Sequence, residues 1–205
     1  MLLAEQGSSA LRKVTMPKPA HTAIPSHPSD HACVDFVDSS FSDHLGRRDP
    51  VERIDSPQWQ KWFLDRYGLK PVPREAPPIE KLVVLRQDIR RILVKWSNDA
   101  VAPRDLRLLD RRVREATFRH RVAASASGVR LAPEPLQRDW TWVMAMVAAS
   151  CVALMETGDP KRLKLCGNTD CSWMFYDTTV NRSKQFCSTT TCASLVRVRR
   201  FRQRG

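Results

Sequence analysis

Long apolar runs are missing from this chain. The uncharged run from Trp140 to Met155 falls short of the ~20 residues that a membrane-spanning helix needs. The opening Met1-Leu2-Leu3-Ala4-Glu5-Gln6-Gly7 lacks the basic start and apolar core of a secretory signal. Glycine is scarce, seven residues in 205, and none gather into a loop that cradles phosphates. The five histidines (His21, His27, His31, His44 and His120) are scattered, and no nucleophile–base arrangement or open metal site accompanies them. No internal repeat is visible. These absences point away from an enzyme and from a membrane partner, and towards a cytoplasmic chain.

Acidic residues are also in deficit. Lys and Arg number 34 against 22 Asp and Glu, a net charge of +12. The excess concentrates at the end, where residues 161–205 hold ten Lys and Arg against two Asp. Such a segment favours a polyanionic partner.

Cysteine is sparse but organised. Four of the six lie in one frame: Cys166-x4-Cys171, fifteen residues, then Cys187-x4-Cys192. Two thiol pairs at short spacing, each closing a knuckle and joined by a loop, suit one tetrahedral zinc ion. In a reducing compartment, clustered thiols more often hold metal than form disulfides. All four positions would be filled by sulfur, so the ion is expected to be structural. Cys33 and Cys151 stand among apolar neighbours and read as small core residues.

The expected fold class is α+β: a mostly α-helical N-terminal domain with a small β-hairpin or sheet, followed by a small four-cysteine zinc-finger module. Residues 1–30, rich in Pro, Ser, Ala and His without an apolar period, read as a disordered leader. The domain proper is placed at 31–160 and the basic finger at 161–205. Ala32–Val37 reads as a short strand or the start of a helix. Ser56-Pro57 signals a helix start and Gly68 its stop, with Trp59, Trp62 and Phe63 on the core face. Residues 70–78 form a proline-rich connector. Ile79 to Trp96 carries apolar residues at helical spacing, with Arg86, Arg90, Arg91 and Lys95 largely off the stripe. Pro103 opens another helix. Two strands flank Ser125-Ala126-Ser127-Gly128 as a hairpin, and Asp139 to Met155 reads as a central buried helix.

Between the cysteine pairs, Trp173, Phe175 and Phe186 are the apolar residues that would pack beside a metal. About 45 residues bury too little surface to fold alone, so zinc would supply much of the module's folding free energy. Arg182 and Lys184 would donate towards thiolates or reach phosphates. Asp177 has two structural readings: pairing with Arg182 or Lys184, or capping the turn after it. As a helix, the tail after Cys192 puts Arg197, Arg200 and Arg204 on one side, with Arg199 and Arg202 elsewhere. The bland alternative for this tail is a frayed, solvated terminus.

The pattern Cys166-x4-Cys171-x3-Phe175-x-Asp177-x-Thr179-x4-Lys184-x-Phe186-Cys187-x4-Cys192 resembles the C-terminal zinc finger of the CGNR family of bacterial regulators. In that family the finger follows an N-terminal ABATE domain. Val34-Asp35-Phe36-Val37-Asp38-Ser39 is similar to the stretch that opens ABATE domains, and the resemblance covers roughly residues 31–200. There are departures. Ala193-Ser194-Leu195 stand where the family has Gly-Asn-Arg, and the Cys166-Gly167-Asn168 string reads as coincidental. Thr179, Lys184 and Phe186 replace Ser, Arg and Trp, and lysine cannot reproduce a bidentate guanidinium fork.

The resemblance implies a transcriptional regulator whose partner is double-stranded DNA. Arg182, Lys184, Arg197, Arg199, Arg200 and Arg202 are the expected contacts, mostly to phosphates. The N-terminal domain is expected to sense a small-molecule effector or to form a homodimer. The alternative is a zinc-knuckle adaptor that binds protein or RNA without sequence-specific DNA binding.

Overall fold

The computed structural model describes residues 25, 27–42, 50–70, 75–125 and 128–204. Most of the leader assigned to 1–30 therefore lies outside the described residues. Among the described residues, six α-helices and three small antiparallel sheets follow one another: α1 Ala32–Val37, β1 Ser40–Phe41, β2 Val51–Glu52, α2 Pro57–Arg66, α3 Ile79–Trp96, α4 Pro103–Arg114, β3 Phe118–Ser125, β4 Gly128–Pro135, α5 Trp140–Thr157, β5 Leu163–Leu165, β6 Met174–Tyr176 and α6 Ser194–Arg202. Each sheet is a single strand pair: β1 with β2, β3 with β4, β5 with β6. The α+β expectation is met.

Local chemistry accounts for the helix ends. Ser56 Oγ accepts from Trp59 N–H at 3.4 Å, and Pro57 holds the first helical position of α2. The helix stops at Gly68, whose φ of 65° is the left-handed conformation that a side chain disfavours. Leu69 N–H then reaches back to Leu64 C=O at 2.9 Å. Asp139 caps α5 by accepting from Trp142 N–H at 2.8 Å. At α4 the Asp105 carboxylate accepts from Ala102 N–H at 3.0 Å and pairs with Lys95 of α3.

The core forms where α1, α3 and α4 pack around α5. By length and composition α5 could cross a membrane. Nine of its residues are nevertheless buried, among them Val143, Val147, Ala148, Cys151 and Leu154, so it is the central helix of a folded unit. From α3, Leu82, Leu85, Ile89, Ile92 and Leu93 complete this core, and Trp59 stacks on Phe63 from α2 with ring centroids 4.9 Å apart. Cys33 and Cys151 are buried within it, as the sequence suggests.

Of the two readings of Ala32–Val37 the helix holds, and every one of its residues is buried, Asp35 included. The neighbouring strand begins later, at Ser40. One sequence reading changes. Arg86 is not on a solvated face. It is buried, hydrogen-bonds Ser39 Oγ at 3.2 Å and grips the Glu52 carboxylate with both Nη atoms, which ties α3 to the β1–β2 pair.

Candidate metal centre and the basic helix

The strands β5 and β6 set the first cysteine pair. Lys164 pairs with Phe175 across them, and Cys166 N–H donates to Trp173 C=O at 2.9 Å just beyond the sheet. Gly167 N–H donates to Gln185 C=O at 2.8 Å, which pulls the second knuckle against the first. A Cβ at Gly167 would stand 3.0 Å from that same carbonyl, so the approach suits glycine. Cys171 N–H closes the first knuckle onto Asn168 C=O at 2.9 Å. In the second knuckle Ser188 Oγ accepts from Thr191 N–H and Thr191 Oγ1, and a wide turn over Thr189–Ala193 carries Cys192 straight into α6.

The four sulfurs lie within 4.8 Å of one another, and all four residues are buried. Cys171 and Cys187 Sγ are 3.9 Å apart, and Cys187 and Cys192 Sγ 3.5 Å. A tetrahedral zinc ion with sulfur at ~2.3 Å requires S···S separations of about 3.8 Å, whereas a disulfide requires about 2.05 Å. The donor set therefore fits a closed four-thiolate zinc site and not a cross-link, and one structural zinc ion belongs here. When bound, the ion ties the two knuckles together and leaves no position for water or substrate.

Outer partners tune the sulfurs. The Cys187 N–H donates to Cys166 Sγ at 3.5 Å. Asn168 is almost fully buried, and its Nδ2 reaches Cys192 Sγ at 3.7 Å. Its Oδ1 accepts from Asp170 N–H and from Arg199. Arg199 also forms an ion pair with Asp170. Asn168 thus links the first knuckle, the last sulfur and α6, which is the orienting work that outer groups do around metals. Gly167 and Asn168 thus both have structural duties beside the first cysteine.

Asp177 resolves between its two readings. Its Oδ1 accepts from the N–H and hydroxyl of Thr179, and its Oδ2 from Lys184 N–H at 3.0 Å. It caps the turn, and its ion partner is Lys164, not Arg182 or Lys184. Burial opposes its charge, but the hydrogen bonds from Lys164 and Thr179 prevail and hold the carboxyl well below its usual range.

The finger is built into the domain. Phe41 of β1 joins the four cysteines, Trp173 and Phe175 in one apolar cluster and meets the Trp173 ring edge-on at 4.8 Å. Arg53 lies over the Phe41 ring at 4.5 Å and the Trp173 ring at 5.6 Å. Arg90 Nη2 donates to Ser172 C=O at 2.6 Å, and Ser42 N–H to Ser172 Oγ at 2.7 Å. Asp38 accepts from Met174 N–H with both oxygens, at 3.0 and 3.2 Å. Met174 and Leu163 sit in the main core. A module that cannot bury enough surface alone therefore leans on α1 and β1 as well as on metal.

The predicted nucleic-acid contacts divide into two groups. Arg199 is held by Asp170 and Asn168, so it braces α6. Arg182 pairs with Asp159 at 3.2 Å, and Lys184 Nζ lies 4.8 Å from the Phe175 ring centroid, so both serve the loop. Neither touches a sulfur among the described contacts. Arg197, Arg200 and Arg202 are exposed on α6, and Arg204 follows just beyond it. None of these four has an ion pair among the described residues. Sequence reasoning missed Asn168, Asp170, Asp38 and Phe41, whose roles depend on long-range contacts that carry no local signal.

Two family models match. The ABATE model, described as "Putative stress-induced transcription regulator", covers residues 30–158, and the CGNR zinc finger model covers 162–205. A search of curated proteins found no match. With four thiols at metal-binding separation under the second model and the α5-centred core under the first, the chain belongs to the ABATE family, carrying a CGNR zinc finger as its C-terminal unit.

Proposed function

We propose that this chain is a DNA-binding transcriptional regulator and not an enzyme, with its zinc site holding α6 out as the DNA-facing element. The observation that carries this reading is the coupling of metal to helix. The fourth sulfur ligand lies in the turn that opens α6, and Arg199 fastens the helix to Asp170 beside the first knuckle. With α6 fixed at that end, Arg197 and Arg200 stand exposed on its free side, and Arg204 follows just beyond its end. They suit phosphates, whose contacts position a protein on the duplex without reading sequence.

The N-terminal domain supplies the second half of the reading. Its β3–β4 hairpin exposes Val122, Val129 and Leu131. An isolated two-stranded hairpin is only marginally stable in water. A second copy of the chain covering this face would form the homodimer of this reading. The shallow space between Glu115, Thr117, Leu136, Gln137 and Trp142, with a cavity volume of ≈ 200 Å³, is a place for a small effector.

The test is selection from a random duplex pool with zinc-loaded protein, followed by competition with RNA and sedimentation of the free chain. Recovery of a preferred duplex, bound more tightly than RNA by a dimer, supports the reading. Equal or tighter binding of RNA moves it to the adaptor alternative.

A further inference from the structure

Phe201 is the one exposed Phe, Tyr or Trp side chain among the described residues. It is 79% exposed, close to the end of a helix, and among the described residues it has no ring or cation partner. On the α-helical period it projects between the Arg197 and Val198 directions, with Arg200 flanking Arg197 and Arg204 just beyond the helix end. Val198 is 46% exposed on the same side. The opposite side of α6 carries Leu195, Val196 and Arg199, all partly buried. The helix therefore presents a small apolar ridge with guanidinium groups along its flank.

A single exposed apolar side chain is common on protein surfaces, but here the ring shares its helix with Val198 and unpaired arginines. A protein partner with an apolar pocket would also meet the unpaired guanidinium groups of Arg197 and Arg200 on the same helix. A duplex groove offers both chemistries at once, with phosphates along the walls and base edges on the floor. An α-helix with side chains is about 10–12 Å across, and only the major groove, about 12 Å wide, admits it. The sole apolar group on that groove's floor is the thymine C5-methyl, which side chains such as Phe contact directly.

Building on the DNA-binding reading above, we propose that Phe201, supported by Val198, is the base-reading contact of α6 and selects thymine, while Arg197, Arg200 and Arg204 hold the flanking phosphates. Phe201 sits outside the zinc site and the core, so its removal leaves both in place. Burying one methyl group is worth about 0.8 kcal/mol, which is roughly a fourfold change in affinity.

The experiment uses the full zinc-loaded chain and the duplexes recovered by selection, with each thymine replaced in turn by deoxyuridine, which deletes only the methyl. Wild type is expected to lose about fourfold at one or two positions. Phe201→Ala is expected to bind thymine and deoxyuridine duplexes alike, with the salt dependence of the wild type. Arg200→Ala is expected to keep the methyl discrimination and to lower the salt slope by about one. Equal affinity of wild type for thymine and deoxyuridine duplexes overturns the proposal. So does Phe201→Ala retaining the discrimination. If wild type selects no duplex at all, the DNA-binding reading itself falls, a result distinct from either.

Discussion

Asp38 and Asp35 lie three residues apart on or beside α1, and burial raises the pKa of both carboxyls. They differ in what they hold. Asp38 gives both oxygens to the Met174 N–H, so one side chain of the N-terminal domain fixes a strand of the finger. Asp38→Ala leaves that buried N–H without a partner. A cost of about 1–3 kcal/mol in chemical denaturation is expected, together with weaker zinc retention in a competing-chelator titration. Asp35 accepts from Tyr67 Oη at 2.5 Å and from Ser29 N–H at 2.8 Å, and its pKa is raised to about 6, chiefly by burial. The folded state then binds a proton that the unfolded state has released, so the Asp35 contribution declines as pH rises from about 4 to about 6. The stability difference between wild type and Asp35→Asn should fall across that window. A flat or rising difference would contradict the assigned burial.

Among the elements, those with their own sequence logic were readable. The spacing of Leu82, Ile89, Ile92 and Leu93 marks α3, the Ser56-Pro57 cap and Gly68 stop mark α2, and the turn residues at 125–128 mark the β3–β4 hairpin. The short elements were not readable. Strands β5 and β6 are three residues each, too short to show a period, and α1 is six residues buried on all sides, so no alternation survives to tell helix from strand. The cysteine frame was legible from spacing alone, because ligand chemistry imposes it. Its outer partners were not: Asn168 and Asp170 look like ordinary turn residues until α6 folds back onto them. The brace on α6 yields a prediction. Arg199→Ala should weaken DNA binding while leaving the salt slope at its wild-type value, since Arg199 holds the helix and faces Asp170. Arg200→Ala should lower the slope by about one. Equal slope losses for both variants would mean that Arg199 reaches phosphate too.

At the scale of the molecule, the finger and the helical domain share side chains. Met174 and Leu163 belong to the main core, and Phe41 belongs to the metal cluster. Metal removal should therefore be felt beyond the knuckles. Chelation with a strong zinc ligand is expected to lower the midpoint of a single thermal transition monitored by helix content, and Phe41→Ala should enlarge the zinc lost at a fixed chelator concentration. A helical transition indifferent to chelator would separate the two units energetically.

Whether zinc on Cys166, Cys171, Cys187 and Cys192 presents α6 to DNA by charge is decided by duplex affinity measured across a salt series before and after zinc is stripped. Affinity should fall steeply with salt in the loaded protein and collapse on chelation, with recovery when zinc is returned. An affinity that ignores salt, or that survives the loss of the metal, would contradict that role for the metal.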